Sequence, residues 1–273
     1  MAGFVSVKPL RACLVVATGA GLLLSAAVAT AQEGPEEPAE EQPLPERVLF
    51  IGNSHTERFG GLDTTIENFV ASEDPPRRFD GEILTEGGVT LEYHWDNGAK
   101  KSIRVGDYDT VVLQGYLPGA KTRNAEPFLE HARLLDEVIG ATGAETVFFM
   151  TWPRGFNDWS DYDDVAEAHR IVEAELGARV APAALAFELA QTERPEVELM
   201  NPDRIHATWE GAYLAAATVY ATLFDRSPEG LPYDFGITGT GVAPFLQRIA
   251  WQAVTEWRQG TTATDEEAPP EGD

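Results

Sequence analysis

Apolar positions along this chain follow two periods. Short unbroken runs at 47–52 (RVLFIG), 110–114 (TVVLQ) and 146–152 (TVFFMTW) end in or before Gly or Pro. They are rich in β-branched and aromatic residues, which predicts buried strands. A weaker strand is expected at 80–84. Other segments carry apolar residues three and four apart, the repeat of a helix with one buried face. These are 62–72 (Ile66, Phe69, Val70), 126–139 (Phe128, Leu129, Ala132, Leu135, Ile139), 164–176, 183–191, an amphipathic 208–224 and 242–257. Residues 197–200 are expected to add a short strand. Apolar strands alternating with helices imply an α/β fold, with helices covering both faces of a central parallel sheet. In such sheets ligands sit beyond the carboxyl ends of the strands, so the residues just after each strand matter most.

The ends of the chain read differently. Lys8 and Arg11 precede an apolar run at 13–28, and Ala29-Thr30-Ala31 supplies a small-x-small cleavage pattern. Residues 1–31 therefore read as a cleavable signal peptide, with cleavage expected after Ala31 and a secreted or periplasmic product. An uncleaved anchor is the alternative, but the run is short for a bilayer span. The chain's single cysteine, Cys13, would leave with the signal. Residues 32–46 (QEGPEEPAEEQPLPE) form an acidic Pro/Glu-rich linker, and 261–273 (TTATDEEAPPEGD) form an acidic disordered tail. Residues 47–260 are left as the folded domain.

Composition narrows the function classes. The formal charge is -25, from 45 acidic against 20 basic residues. That balance excludes an electrostatically driven nucleic-acid binder. Eleven of the acidic residues lie in the two polar ends, and the folded part is acidic too. One cysteine excludes a disulfide framework or a Cys-based zinc site. No cofactor is implied. Asp158, Asp161, Asp163 and Asp164 cluster but lack calcium-loop spacing, and acids at a helix start account for them equally well.

The strand ends carry a nucleophile set. Gly52-Asn53-Ser54-His55-Thr56 follows the first strand. A Ser in such a turn can be exposed at the sheet top, although by itself it could simply cap the following helix. Thr56 stands where an α/β-hydrolase elbow has its second Gly. Asp203-Arg204-Ile205-His206 precedes the 208–224 helix. Three residues apart in a turn, Asp203 could hold His206 Nδ1–H and leave Nε2 to take a proton from a serine. Gly88 and Gln114, at the ends of the second and third strands, could donate to a developing oxyanion. Singly, each has an ordinary structural explanation. Together with Ser54 they form what a serine esterase requires.

These motifs resemble the SGNH (GDSL-like) hydrolase superfamily. Gly52-Asn53-Ser54-His55-Thr56 resembles its first block, Glu86-Gly87-Gly88-Val89-Thr90 its second, and Asp203-Arg204-Ile205-His206 its fifth. Val111-Val112-Leu113-Gln114-Gly115 stands at the third. The resemblance covers most of the folded part. It implies a flavodoxin-like three-layer α/β/α fold, a Ser54–His206–Asp203 triad, and an oxyanion hole from Ser54, Gly88 and Gln114. The departure is Gln114, which stands where the family has Asn and adds one methylene. A secreted branch of the family shares the VVLQ segment, a downstream His (here His94) and a Trp after the fourth strand (here Trp152).

His55, His94, Tyr116 and Trp152 are expected as possible substrate-lining residues, with structural packing the alternative for both histidines. His131 and His169 are expected at the surface. Trp209 is expected to pack, and Trp251 and Trp257 to form the buried face of the last helix. The functional expectation is an exported serine esterase acting on short-chain or O-acetyl esters of carbohydrates. An inactive carbohydrate-binding protein of the same fold, or an O-acyltransferase, is the alternative. A small-molecule or glycan ester is the expected partner, with no nucleic acid and no stable membrane insertion after signal cleavage.

Overall fold

The computed structural model describes residues 44–115, 125–153, 160–237 and 241–265. The expected signal peptide, most of the expected acidic linker, Tyr116 and Asp158 lie outside them. Five strands form one all-parallel sheet in the order β2-β1-β3-β4-β5. They are β1 (Arg47–Gly52), β2 (Asp80–Thr85), β3 (Thr110–Leu113), β4 (Glu145–Phe149) and β5 (Arg179–Ala181). The helices are α1 (Ser54–Glu57), α2 (Leu62–Ala71), α3 (Leu91–Asp96), α4 (Ala99–Gly106), α5 (Glu126–Gly140), α6 (Ser160–Leu176), α7 (Ala183–Glu193), α8 (Trp209–Phe224) and α9 (Val242–Asp265). This is the flavodoxin-like order, whose topological switch point lies between β1 and β3.

Alternation along each strand divides the core. Val48 and Phe50 of β1, with Val112, Val147 and Phe149, pack under α2, α7, α8 and α9. Leu49 and Ile51, with Val111, Leu113 and Phe148, pack under α3 to α6. Successive side chains point to opposite faces, so a strand buried on both faces must be apolar throughout. The unbroken runs of β1, β3 and β4 express that requirement. Strand β2 reads weakly because it is the sheet edge and largely exposed. Its Asp80 and Glu82 take the guanidinium of Arg47, Nε and Nη2 each at 3.1 Å. Charge on an edge discourages pairing with another chain.

Several expectations are corrected. The fifth strand is Arg179–Ala181, too short to show a period. Residues 197–200 form no strand; Met200 makes one antiparallel bridge to Ala207. Helix α8 is not amphipathic but buried on all sides. Its Thr218 and Thr222 satisfy their hydroxyls by donating to the carbonyls of Leu214 and Thr218, at 2.8 and 3.0 Å. His169 is buried between Phe128 and Phe148 rather than at the surface. Helix α9 runs to Asp265, into the expected tail. Among the described residues no helix is long and apolar enough to cross a membrane.

Candidate active site

The turn after β1 is fixed by its own hydrogen bonds. Asn53, fully buried, sits in extended backbone and caps α1. Its Oδ1 accepts from His55 N at 3.2 Å, and its carbonyl accepts from Thr56 N and Glu57 N at 2.9 and 3.1 Å. Ser54 therefore opens a four-residue helix at the carboxyl end of β1, only partly buried. Asn53 Nδ2 also donates to the Val89 carbonyl at 3.1 Å, which ties the Gly88 loop to the serine turn. Gly88 adopts φ +74, a backbone region that favours glycine, and is exposed. Among the described residues, neither the Ser54 nor the Gly88 amide donates a hydrogen bond. Both remain available to an oxygen.

The histidine arrives on the loop between α7 and α8. Asn201 N donates to the His206 carbonyl at 2.8 Å, and Asn201 Nδ2 donates to the Ala207 carbonyl at 2.7 Å. Arg204, at φ +54, makes the tight reversal inside the loop. Trp152 Nε1–H donates to the Ile205 carbonyl at 3.0 Å, while its ring stacks on the buried Phe187 at 4.0 Å. The loop is thus held from two sides. Thr208 then caps α8, accepting from Gly211 N at 3.1 Å.

These two segments, 152 residues apart, meet. Ser54 Oγ lies 3.0 Å from His206 Nε2, and His206 Nδ1 lies 2.7 Å from Asp203 Oδ2. Asp203 Oδ1 accepts from the amides of Ile205 and His206 at 2.9 and 3.0 Å. The His206 amide above all, then the ring N–H, then the Ile205 amide hold the Asp203 carboxyl well below its ordinary pKa. A carboxylate accepts only, so His206 Nδ1 carries the proton. The Nε2 lone pair then faces the serine hydroxyl. This arrangement can remove a proton from Ser54.

The other expected residues are placed as follows. Gln114 is buried, and its oxygen and one of its two N–H groups are engaged. Oε1 accepts from Asn53 N at 2.8 Å and from Thr56 Oγ1 at 3.2 Å, while Nε2 donates to the Gly115 carbonyl at 2.9 Å. Gln114 thus braces the serine turn. His94 is buried, and its Nε2 donates to the Gly52 carbonyl at 2.7 Å. Burial pushes its pKa down. It pins α3 to the end of β1. The His55 ring meets Trp152 edge-on at 5.0 Å and lies 5.8 Å from the His206 ring.

A crevice leads away from His55 and Trp152. It runs between the segment joining α1 to α2 and the start of α8, and is lined by Arg58, Leu62, Ala212 and Ala215 among others. At the surface Phe59 lies 4.1 Å from Trp209, which lies 5.0 Å from Phe235. Trp209 is 53% exposed, not packed away as expected. Phe59 and Phe235 both have positive φ, at +56 and +58, a cost that non-glycine residues tolerate only where the surroundings impose it. Sequence reasoning missed Asn53's bracing role, Arg58, and the Phe59 and Phe235 that flank Trp209. Asn53 alone left a signal, as an N-cap type of residue directly before the serine.

No family model and no curated protein matches the sequence. Solved structures do. A protein from Slackia heliotrinireducens assigned as a candidate SGNH hydrolase is similar with a TM-score of 0.55 and 25% identity, over 65% of this chain and 98% of its own. The chain has the SGNH hydrolase fold. A DUF4886 family protein from Bacteroides uniformis shares that fold at a TM-score of 0.59 and 17% identity, covering 77% of this chain and 95% of its own. An acetylxylan esterase from Geobacillus stearothermophilus shares it at 0.51 and 16%, covering 65% and 94%. In this SGNH fold the serine turn and the D-x-x-H loop both lie on the carboxyl side of the sheet, where open α/β sheets bind ligands.

Proposed function

We propose that this SGNH-fold protein is an exported serine esterase that cleaves short-chain or O-acetyl esters of carbohydrates. The observation that carries the reading is the continuous contact Ser54 Oγ–His206 Nε2–Asp203 at hydrogen-bonding distances. His206 Nε2 takes the hydroxyl proton as Ser54 Oγ bonds to the ester carbonyl carbon. The carbonyl oxygen, now an anion, is met by the free amides of Ser54 and Gly88. His206 returns the proton to the leaving alkoxide, the carbon–oxygen ester bond breaks, and an acyl-serine remains. A water then attacks in the same way, giving up its proton to His206 and releasing the acid and Ser54. Asp203 keeps the imidazole in the tautomer this needs.

The carbohydrate preference draws on the acetylxylan esterase among the neighbours and on the exposed aromatic group beside the crevice. Aromatic faces suit the apolar faces of sugars. Export draws on residues 1–31. One observation favours the weaker readings, an inactive glycan-binding protein or an O-acyltransferase. Gln114 spends its oxygen and one of its two N–H groups within its own chain, which leaves at most one N–H as a third donor. Purified protein should hydrolyse nitrophenyl acetate and take a fluorophosphonate label, with both lost in Ser54→Ala. No Ser54-dependent cleavage and no label would leave the glycan-binding reading standing. A product that appears only with a sugar acceptor would favour acyl transfer.

A further inference from the structure

Among the described residues, eight arginines of this acidic protein have found a carboxylate. Arg47, Arg77, Arg133, Arg170, Arg179, Arg194, Arg248 and Arg258 all make ion pairs. Arg58 is different. It lies four residues beyond Ser54, immediately after α1, and lines the crevice that opens from His55 and Trp152. Its Nε is a buried donor with no hydrogen-bond partner. Among the described residues no carboxylate pairs with it, Asp63 in the first turn of α2 included. The guanidinium carbon sits 5.2 Å from the Phe59 ring, so the side chain rests on an aromatic face. An unpaired buried donor costs free energy unless something fills it.

We propose that Arg58 is a specificity residue for a carboxylate carried by the ester substrate. The proposal rests on the esterase reading above and names the kind of ester that this site prefers. A guanidinium presents parallel N–H groups that match the two oxygens of a carboxylate, and an ammonium does not. The rest of the crevice offers little competition. Ala207, Ala212 and Ala215 are apolar, and Thr65 already donates its hydroxyl to the Gly61 carbonyl at 2.9 Å. His55 also lines the crevice, and among the described residues Arg58 is the one permanently charged side chain there. The protein's overall negative charge slows the approach of polyanions at low salt. A single carboxylate seated within contact of Arg58 is governed by the local pair, because screening removes the long-range part first.

The test compares charged and uncharged esters of matched shape. Mono(4-nitrophenyl) glutarate carries the carboxylate on the acyl side, and 4-acetoxybenzoate carries it on the alcohol side. Each is measured against its methyl ester. In the wild type at least one carboxylate should give a kcat/KM about tenfold above its methyl ester, mainly through KM. Arg58→Gln should reduce that ratio at least tenfold, and Arg58→Lys should restore part of it. Which ester responds tells which side of the scissile bond faces Arg58. If neither carboxylate is preferred, or the preference survives Arg58→Gln, the proposal is overturned. A separate arm protects the test from failure of the esterase reading. Calorimetric titration of the same two carboxylates into Ser54→Ala, and into Ser54→Ala with Arg58→Gln, needs no turnover. Binding that is at least tenfold weaker without Arg58 supports the anion site even in an inactive protein. Equal or undetectable binding in both refutes it.

Discussion

Replacing Asp203 by Asn tests the proposed mechanism most directly, because the hydrogen bonds force one outcome. Asp203 Oδ1 accepts two backbone amides and Oδ2 accepts His206 Nδ1–H. In Asp203→Asn the amide must choose an orientation. Turning its NH₂ toward the Ile205 and His206 amides would set donors against donors and abandon two bonds, each costing about 1–3 kcal/mol when a group is left unsatisfied. The other orientation keeps both bonds and points NH₂ at His206 Nδ1. Nδ1 must then accept, so its proton moves to Nε2. That nitrogen faces Ser54 Oγ at 3.0 Å as a donor and can no longer take the serine proton. In other Ser-His-Asp hydrolases this wrong tautomer lowers kcat by about 10⁴, equivalent to about 5.5 kcal/mol of barrier. The expected result is a fall of 10³ to 10⁴ in kcat for nitrophenyl acetate and similarly slow fluorophosphonate labelling. The melting temperature should move little, because the loop keeps its backbone bonds. Asp203→Ala, which loses them, should melt lower. A loss of less than tenfold in Asp203→Asn, with an unchanged melt, would refute the argument that Asp203 acts through the tautomer of His206.

Two further predictions concern stability. His169 is buried with Nδ1 donating to the Val165 carbonyl at 2.7 Å, and its Nε2 has no partner. Burial pushes its pKa down to about 4. Because the folded state resists protonation, this contribution is present above the ordinary value near 6.5 and is lost as pH falls from there to about 4. The loss is about 3 kcal/mol. Urea unfolding at pH 7 and pH 4 should show a smaller drop for His169→Leu than for wild type, and equal drops would contradict it. Gln114→Leu should lower stability by about 1–3 kcal/mol, because the Asn53 amide and Thr56 hydroxyl lose their acceptor. An unchanged unfolding midpoint would show that Gln114 does not brace the serine turn.

What was readable in the sequence, and what was not, follows from how far each signal reaches along the chain. Strands β1, β3 and β4 and helices α2 and α5 were legible because burial imposes a local period on their side chains. So was the D-x-x-H contact, since Asp203 and His206 are three residues apart and need only a turn to meet. Strand β5 carries three residues and has no period to read. Helix α8 reads as amphipathic in sequence, yet its threonines bond to their own helix and are buried. Nothing local says that α8 lies beneath three other helices. His169 looked like a surface residue on its helix, and only the packing of α5 against α6 encloses it. Gln114 is the clearest case. Its position at a strand end suggested a donor to substrate, and the nature of the side chain allowed it. The neighbouring turn adds a second role that the sequence does not show, because the Asn53 amide and the Thr56 hydroxyl take its oxygen as their acceptor. Arg58 and Phe59 are likewise unremarkable in sequence, and with Trp209 they become a crevice wall and an aromatic surface only when α8 docks beside the segment joining α1 to α2. The sequence by itself determined which residues can do the chemistry and the layers they are built on. The tertiary structure decided which of their polar atoms remain free, because a hydrogen bond is used up by whichever partner the fold brings nearest.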